Sequence, residues 1–390
     1  MKSKSKDAFS NSKIKIPFFR PSINNFDKKS ILKVLSSPLL TDGPMLLEFE
    51  KKFAKYSGAK YAIGVSNATA ALHLSLKELK LKPEDEIIIP DMTFVATANS
   101  VLLAGATPVL ADVDLIDYNI SPSSIKKNIT SKTKAILVVH FAGRACKMDE
   151  IIKIAKKNNL DIIEDCAHAI GAKINKKHVG NFGRSGCFSF YPTKNITTIE
   201  GGMVVTNSKK TAEYIRIFRN HGILKSLKER YSNGFPWDYD ILEQGYNYRI
   251  DELRSSLGIS QLSRLNKLNH LRQKASEYYN KKLSNIDGII TPSDTNYSNN
   301  VNHLYIIRIT EKFPISRNKL FSKLLENGIR TSVHYKPLHE FPSIKKRSKI
   351  NEKLENSKKL YREFLSLPLF PSITKQEQDY VISAIEKIIS

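Results

Sequence analysis

Two hydrophobic periods take turns along the chain. Short, nearly unbroken apolar runs recur at residues 61–65, 86–89, 107–113, 135–141, 161–165, 187–190 and 202–206. Several, such as Ile87-Ile88-Ile89 and residues 136–139, show no polar alternation, which is how strands covered on both faces read. Most are separated by segments of helical period. Residues 45–56 follow the turn Thr41-Asp42-Gly43-Pro44 and place Leu46, Phe49, Phe53 and Tyr56 on one face. Leu72, Leu76 and Leu79 form a second stripe, and Ile151, Ile154 and Ala155 a third. Strands alternating with helices predict an α/β fold with a mostly parallel sheet and right-handed crossovers.

The pattern changes after residue 206. Residues 209–220 read as a helix. Residues 222–246 are rich in Gly, Pro, Tyr and Ser, and a loop that long is functional or mobile. Residues 251–283 have few breakers and predict one long helix. Beyond it, strands are expected at 303–309 and around 329–335, then a last helix opened by a capping box, Thr374 to Glu377. The expected organisation is a disordered tail (1–13), a large α/β domain (14–250), a bridging helix (251–284) and a smaller α+β C-terminal domain (285–390).

Bulk properties narrow this little. The 390 residues are too many for one small core, and 41% are hydrophobic. No apolar run approaches a membrane span, and the N-terminal MKSKSKDAFSNSK lacks the apolar segment of a secretory signal. The three cysteines, Cys146, Cys166 and Cys187, form no CxxC pair, so neither disulfides nor a metal site is expected. A cytoplasmic protein is the expectation. The net charge of +24 is large, but the lysines are scattered rather than striped between aromatics. That reads as weak support for an anionic substrate; nucleic acid is not the expected partner.

Candidate chemistry centres on residues 187–207, CFSFYPTKNITTIEGGMVVTN. Pro192 breaks the chain, so Lys194 falls on a constrained turn between two strands rather than on a solvated helix face. A lysine held that way and partly desolvated loses its proton more readily and can form a Schiff base with an aldehyde cofactor. Ser66-Asn67-Ala68-Thr69 follows a strand and opens a helix. It is either an ordinary N-cap or a cradle whose backbone N–H groups receive a phosphate. Asp165 ends a strand, where parallel sheets hold ligands. It is either an N-cap or the partner of a protonated pyridine nitrogen. His168 is a buried imidazole or a ring neighbour; Phe94 is core or a stacking surface. Gly245-Tyr246-Asn247-Tyr248-Arg249 marks a loop-to-helix junction.

Taken in order, SNATAAL, TFVATANSV, EDCAHAIGA, FSFYPTKNITTIEGGMVVTN, RNHGI, GYNYRIDELRSSLGISQL and LSLPLFP closely resemble the DegT/StrS-type aminotransferases of nucleotide sugars, from about Ile16 to the C-terminus. The resemblance implies PLP fold type I and pyridoxal 5'-phosphate (PLP) as cofactor. By resemblance Lys194 is the Schiff-base lysine and then the general base and acid, and Asp165 the ring-nitrogen partner. His168 lies near the ring hydroxyl, Phe94 covers the ring, and Ala68, Thr69 and Ser189 contact the phosphate. Asn247 reaches the phosphate of the neighbouring subunit, which implies a homodimer with shared sites. The implied substrates are a nucleotide-linked keto sugar and an amino-acid donor, glutamate. Ala68 departs from the glycine that many members carry, which puts a methyl group into the cradle. A subgroup with His in place of the lysine dehydrates sugars, and Lys194 argues against it. The rival from another class is a basic, nucleic-acid-binding regulator, which would be colourless when purified.

Overall fold

Helices and strands alternate as the hydrophobic pattern predicts. In the computed structural model, residues 14–224, 230, 232, 235–293 and 298–389 are described. The expected disordered tail lies outside them, as does part of the 222–246 loop. The first helix, α1 (Asn25–Leu35), starts with a reciprocal capping box between Asn24 and Asp27. Next, α2 (Pro44–Ser57) begins at a proline, where the missing N–H costs nothing, and stops at the left-handed Gly58. It buries Leu46, Phe49 and Phe53.

The main sheet has seven strands: β1 (Tyr61–Val65), β2 (Glu86–Pro90), β3 (Thr107–Ala111), β4 (Thr133–Val139), β5 (Asp161–Asp165), β8 (Ser185–Ser189) and β9 (Gly202–Thr206). A hairpin of β6 (Lys173–Ile174) and β7 (Lys177–His178), not foreseen in the sequence, lies between β5 and β8 along the chain. The sheet order is β1-β9-β8-β5-β4-β2-β3, and only β9 runs against its neighbours. Alternate residues of the apolar runs enter different cores. Ile88, Ile136 and Val138 pack with Phe53 and Phe188. Ile87, Ile89 and Leu137 pack on the other face with Leu72 and Leu76 of α3 (Ala68–Lys77) and with Ala98 and Val101 of α4 (Ala96–Leu103). Both faces are covered, which is why polar alternation is missing.

A separate core gathers around the three-stranded sheet β10 (Ile289–Ile290), β11 (Tyr305–Ile309) and β12 (Phe364–Leu367). It includes Leu320, Leu324 and, from the final helix Lys375–Ile389, Val381 and Ile385. The Thr374–Glu377 capping box forms as the sequence predicts.

Two expectations need correction. Residues 251–283 form two helices, Glu252–Leu262 and Leu265–Leu283, broken at Ser263 and Arg264. No Gly or Pro marks the break. The Ser263 hydroxyl turns back onto the Ser260 carbonyl, and the Arg264 guanidinium is drawn away to the Ser22 carbonyl and buried Asp27. The second correction concerns residues 329–335, which form no regular strand. Ile329 and Ser332 make isolated bridges to Ile16 and Ser366, and the rest of the segment is committed to the cleft described next.

Candidate active site

Strand register brings the candidate residues together. Asp165 is the last residue of β5 and Ser189 the last of β8; Asp165 stands opposite Cys187. Ser189 pairs with Gly202 across to β9, and Gly202 pairs with Val65 across to β1. A Cβ on Gly202 would come within 2.5 Å of the Asn67 backbone and 2.8 Å of the Ala68 nitrogen. Only glycine lets the start of α3 sit this close to the sheet, so the cradle and Ser189 share one corner.

At that corner Asn67 caps α3 by accepting the Ala70 N–H at 2.9 Å. Capping and anion binding are therefore not rivals here. The cap uses Ala70, and the N–H groups of Ala68 and Thr69 keep no protein partner among the described residues. Ala68 is the first helical residue and has right-handed dihedrals, so its backbone does not require glycine. Buried Ser189 accepts a long N–H bond from Tyr191.

Lys194 occupies a loop closed at its base by Phe190 N–H to the Gly201 carbonyl, 2.9 Å. Its own N–H closes a turn onto the Tyr191 carbonyl. The side chain is half-buried, but protein surrounds its deep end, and this burial pulls the ammonium down to about 8; the nearby Asp165 carboxylate opposes the shift. Asp165 is itself buried, and loss of solvent raises its carboxyl. Lys194, the Ala167 N–H on Oδ1 and the Thr97 hydroxyl on Oδ2 (3.2 Å) act against that rise. Thr97 is in turn 2.9 Å from the Thr93 hydroxyl.

His168 is buried and neutral, with burial the main cause and Lys194 the next. Its Nδ1 accepts the Ala142 N–H, so Nε2 carries the proton and donates to the Tyr335 hydroxyl at 3.1 Å. The Tyr335 proton is left for a group in the cleft. Two more imidazoles close in: His303, 4.4 Å from the His168 ring, and His334, which burial lowers to about 3. Gly143, at φ +94°, allows residues 301–303 to lie against the Ala142 loop. Phe94 is not core. It is 56% exposed at the rim, 5.8 Å from the Tyr335 ring. Asn247 is also exposed; its backbone bridges to Asn220, and the neighbouring Tyr248 carbonyl accepts the Ser66 N–H. The chain thus gathers Asp165, His168, Ser189, Lys194 and the cradle, while Asn247 faces outward.

Sequence reading missed Thr97, His303, His334, Tyr335 and Arg272. Arg272 is 3% exposed, and its Nη1 donates to the carbonyls of His303 (3.3 Å) and Leu369 (2.9 Å). His334 and Tyr335 sit in HYKPLH, a histidine–tyrosine pair shortly before a proline, which was the one available signal. Among the described residues, His140, Glu164 and Cys166 lie close enough to suggest a metal site. Both Glu164 oxygens are already occupied by protein donors, so the group reads as structural.

Comparison with known proteins gives the chain a family. The model of the DegT/DnrJ/EryC1/StrS aminotransferase family matches residues 21–386. The spore coat polysaccharide biosynthesis protein SpsC of Bacillus subtilis is 37% identical over 96% of this chain and 97% of its own length. Among solved structures, Helicobacter pylori PseC, an aminotransferase involved in the biosynthesis of pseudoaminic acid, superposes with a TM-score of 0.89 at 31% identity, covering 96% of this chain and 99% of that one. The PMP form of the sugar aminotransferase Spr1654 from Streptococcus pneumoniae gives a TM-score of 0.90 at 28% identity, over 96% and 98%. The chain therefore belongs to the DegT/DnrJ/EryC1/StrS aminotransferase family, whose members are PLP-dependent.

Proposed function

We propose that this protein transfers an amino group from an amino acid, glutamate by resemblance, to a keto group on a nucleotide-linked deoxysugar, as two copies that share their active sites. The observation that carries the reading is Lys194, with its amine lowered to about 8, beside a buried carboxylate, Asp165.

The residues present fit PLP. The cofactor supplies an electrophilic carbon and an electron-withdrawing ring. Lys194 would hold it and, once released, move a proton between donor carbon and cofactor, a task suited to an amine titrating near neutrality. Asp165 would keep the ring nitrogen protonated; a cation at its Oδ atoms reverses the rise that burial causes. The free N–H groups of Ala68 and Thr69, with Ser189, suit the phosphate. His168, through Tyr335, would orient the ring hydroxyl, and exposed Phe94 would cover the ring.

Asn247 is assigned to the partner's phosphate. Exposed apolar side chains support that pairing: Phe26 at 63%, Leu32 at 62% and Leu47 at 66%, with Ile199 at 60% on the Lys194 loop itself. A surface of this kind is a normal feature of a chain that meets a second copy. Among the described residues, no helix is long and apolar enough to cross a membrane.

The test is an amine-formation screen with UDP-, dTDP- and GDP-linked 3-keto and 4-keto sugars and glutamate as donor. One sugar should give glutamate-dependent amine. Colourless protein that binds DNA with steep salt dependence would favour the regulatory reading instead.

A further inference from the structure

A further buried carboxylate stands where two distant segments meet. Asp91 directly follows β2 and is fully buried. Its own N–H is fixed to the Ala111 carbonyl at the end of β3, 2.9 Å. Three contacts reach it from far along the chain. Its carbonyl accepts the Leu338 N–H at 2.8 Å, its Oδ1 the His339 N–H at 2.9 Å, and its Oδ2 lies 2.7 Å from His339 Nδ1. Among the described residues, every hydrogen bond to this carboxylate comes from His339. Asp91 is the main cause that raises the buried His339 imidazole above its ordinary value. Glu340, 3.3 Å from Nε2 but out of hydrogen-bond alignment, adds to the rise, while burial and Lys358 oppose it. The protonated, ion-paired form is thus favoured.

Both segments continue from this pair into the cleft. Past Asp91 come Thr93, whose hydroxyl is linked through Thr97 to Asp165, and Phe94 at the rim. Shortly before His339 comes Tyr335, bonded to His168. The path between Tyr335 and His339 is stiff: Pro337 fixes its own φ, and Leu338 is fully buried with Val101, Ile344 and Leu354. The Phe94 and Tyr335 rings, 5.8 Å apart, close the circuit of contacts. Docking of the later chain onto this edge of the sheet has other means. Lys349 pairs with Glu86, and Asp112 accepts the N–H groups of Asn356 and Ser357, each at 2.9 Å. Those ties lie far along the chain from any cleft residue. The Asp91–His339 contact lies within a few residues of Thr93, Phe94 and Tyr335.

We propose that Asp91 and His339 are positioning residues: their contact clamps the Tyr335 segment to the end of β2 and so fixes the Tyr335 hydroxyl where the ring hydroxyl of PLP is to be met. A group that must be ordered on binding gives back part of its interaction energy as lost freedom. Clamped beforehand, Tyr335 gives little back. Both residues act through Tyr335 and touch no ligand themselves. This inference rests on the role given to Tyr335 under the proposed function.

The test titrates full-length apoprotein by calorimetry with deoxypyridoxine 5'-phosphate, a PLP analogue without the aldehyde, so that lysine chemistry does not enter. His339→Leu removes the charge and Nδ1 together, and affinity for the analogue should fall about tenfold. His339→Asn returns an N–H group near the place of Nδ1 and should recover most of it. In a Tyr335→Phe background, His339→Leu should cost less than about twofold more, because the hydroxyl it positions is gone. Wild-type affinity in His339→Leu, or the same loss with and without the Tyr335 hydroxyl, overturns the proposal and leaves the pair a part of the framework only. Should His339→Leu fail to fold, Asp91→Asn takes its place: the amide has the same size, carries no buried charge and offers its one oxygen to only one of the two His339 donors. A loss of affinity that disappears in Tyr335→Phe supports the clamp, and unchanged affinity overturns it. Either overturning result, with wild type still binding the analogue, leaves the aminotransferase reading standing. If wild type binds neither the analogue nor PLP, that reading fails first and this inference falls with it.

Discussion

Two carboxylates sit side by side on β5, on opposite faces of the sheet, and they are held in opposite ways. Glu164 is saturated. Its Oε1 accepts the N–H groups of Phe182 and Gly183, both at 2.7 Å, and Oε2 accepts the Gly180 N–H at 2.7 Å and His140 at 2.9 Å. His140 Nδ1 is occupied by the Cys146 N–H, so its proton must be on Nε2, pointing at Glu164. Asp165 has one main-chain donor and one hydroxyl, and burial pushes its carboxyl up. Four donors spent on a buried carboxylate make it part of the framework. A buried carboxylate left with two has capacity for a cation that the protein does not itself supply. The sequence EDCAH presents the two as near-equals; their partners tell them apart.

Three measurements sharpen the contrast, beginning with the largest effect. Lys194→Ala removes the only amine at the end of this constrained turn. Transamination should drop to background and the absorption of lysine-bound cofactor should vanish, with circular dichroism unchanged. More than a trace of turnover would remove Lys194 from its role. Glu164→Gln puts an amide N–H₂ where two donors already point, whichever way the amide turns. Leaving buried donors unpaired should cost about 3–5 kcal/mol and lower the melting temperature by roughly 10 °C. Thermal denaturation that matches wild type would show that the Glu164 network carries no stability.

The third measurement is a pH series on apoprotein. On the proposed assignment only the neutral amine of Lys194 captures the cofactor, and with the group lowered to about 8 the capture rate should climb roughly tenfold per pH unit and level off above 8. A rise that continues towards 10.5 would mean the lysine is not desolvated. The sign for stability follows from the same shift. The unfolded chain holds this proton up to 10.5 and the folded one only to about 8. Between those values the unfolded state binds more protons, so this group adds stability as pH rises through the window.

Much of this was legible in the chain because it is local. Unbroken apolar runs such as Ile87-Ile88-Ile89 reported a sheet covered on both faces. Asp165, Ser189 and Lys194 are strand ends or strand-to-strand turns, positions that periodicity locates directly. What stayed hidden depends on partners far away in sequence. Thr97 matters through Asp165, Tyr335 through His168, and Arg272 through two carbonyls on other segments. The break at Ser263 and Arg264 follows the same rule, since the pull comes from Ser22 and Asp27 and no breaker residue marks it. Gly202 was visible as half of a glycine pair, but its purpose, letting Asn67 and Ala68 approach the sheet, exists only in three dimensions.

The most direct test of the account compares Asp165→Asn with Glu164→Gln in the same two assays, melting temperature and the single-turnover half-reaction with glutamate. Removing the charge of Asp165 relieves a burial penalty, so Asp165→Asn should melt as wild type or slightly above it and still bind PLP. Its half-reaction should slow by about a hundredfold or more, because a neutral amide cannot hold the proton on the ring nitrogen. Glu164→Gln should do the reverse, melting early while the fraction that remains folded reacts at a near-normal rate. Near-normal single-turnover rates in Asp165→Asn would contradict the account and place the cation partner elsewhere in the cleft.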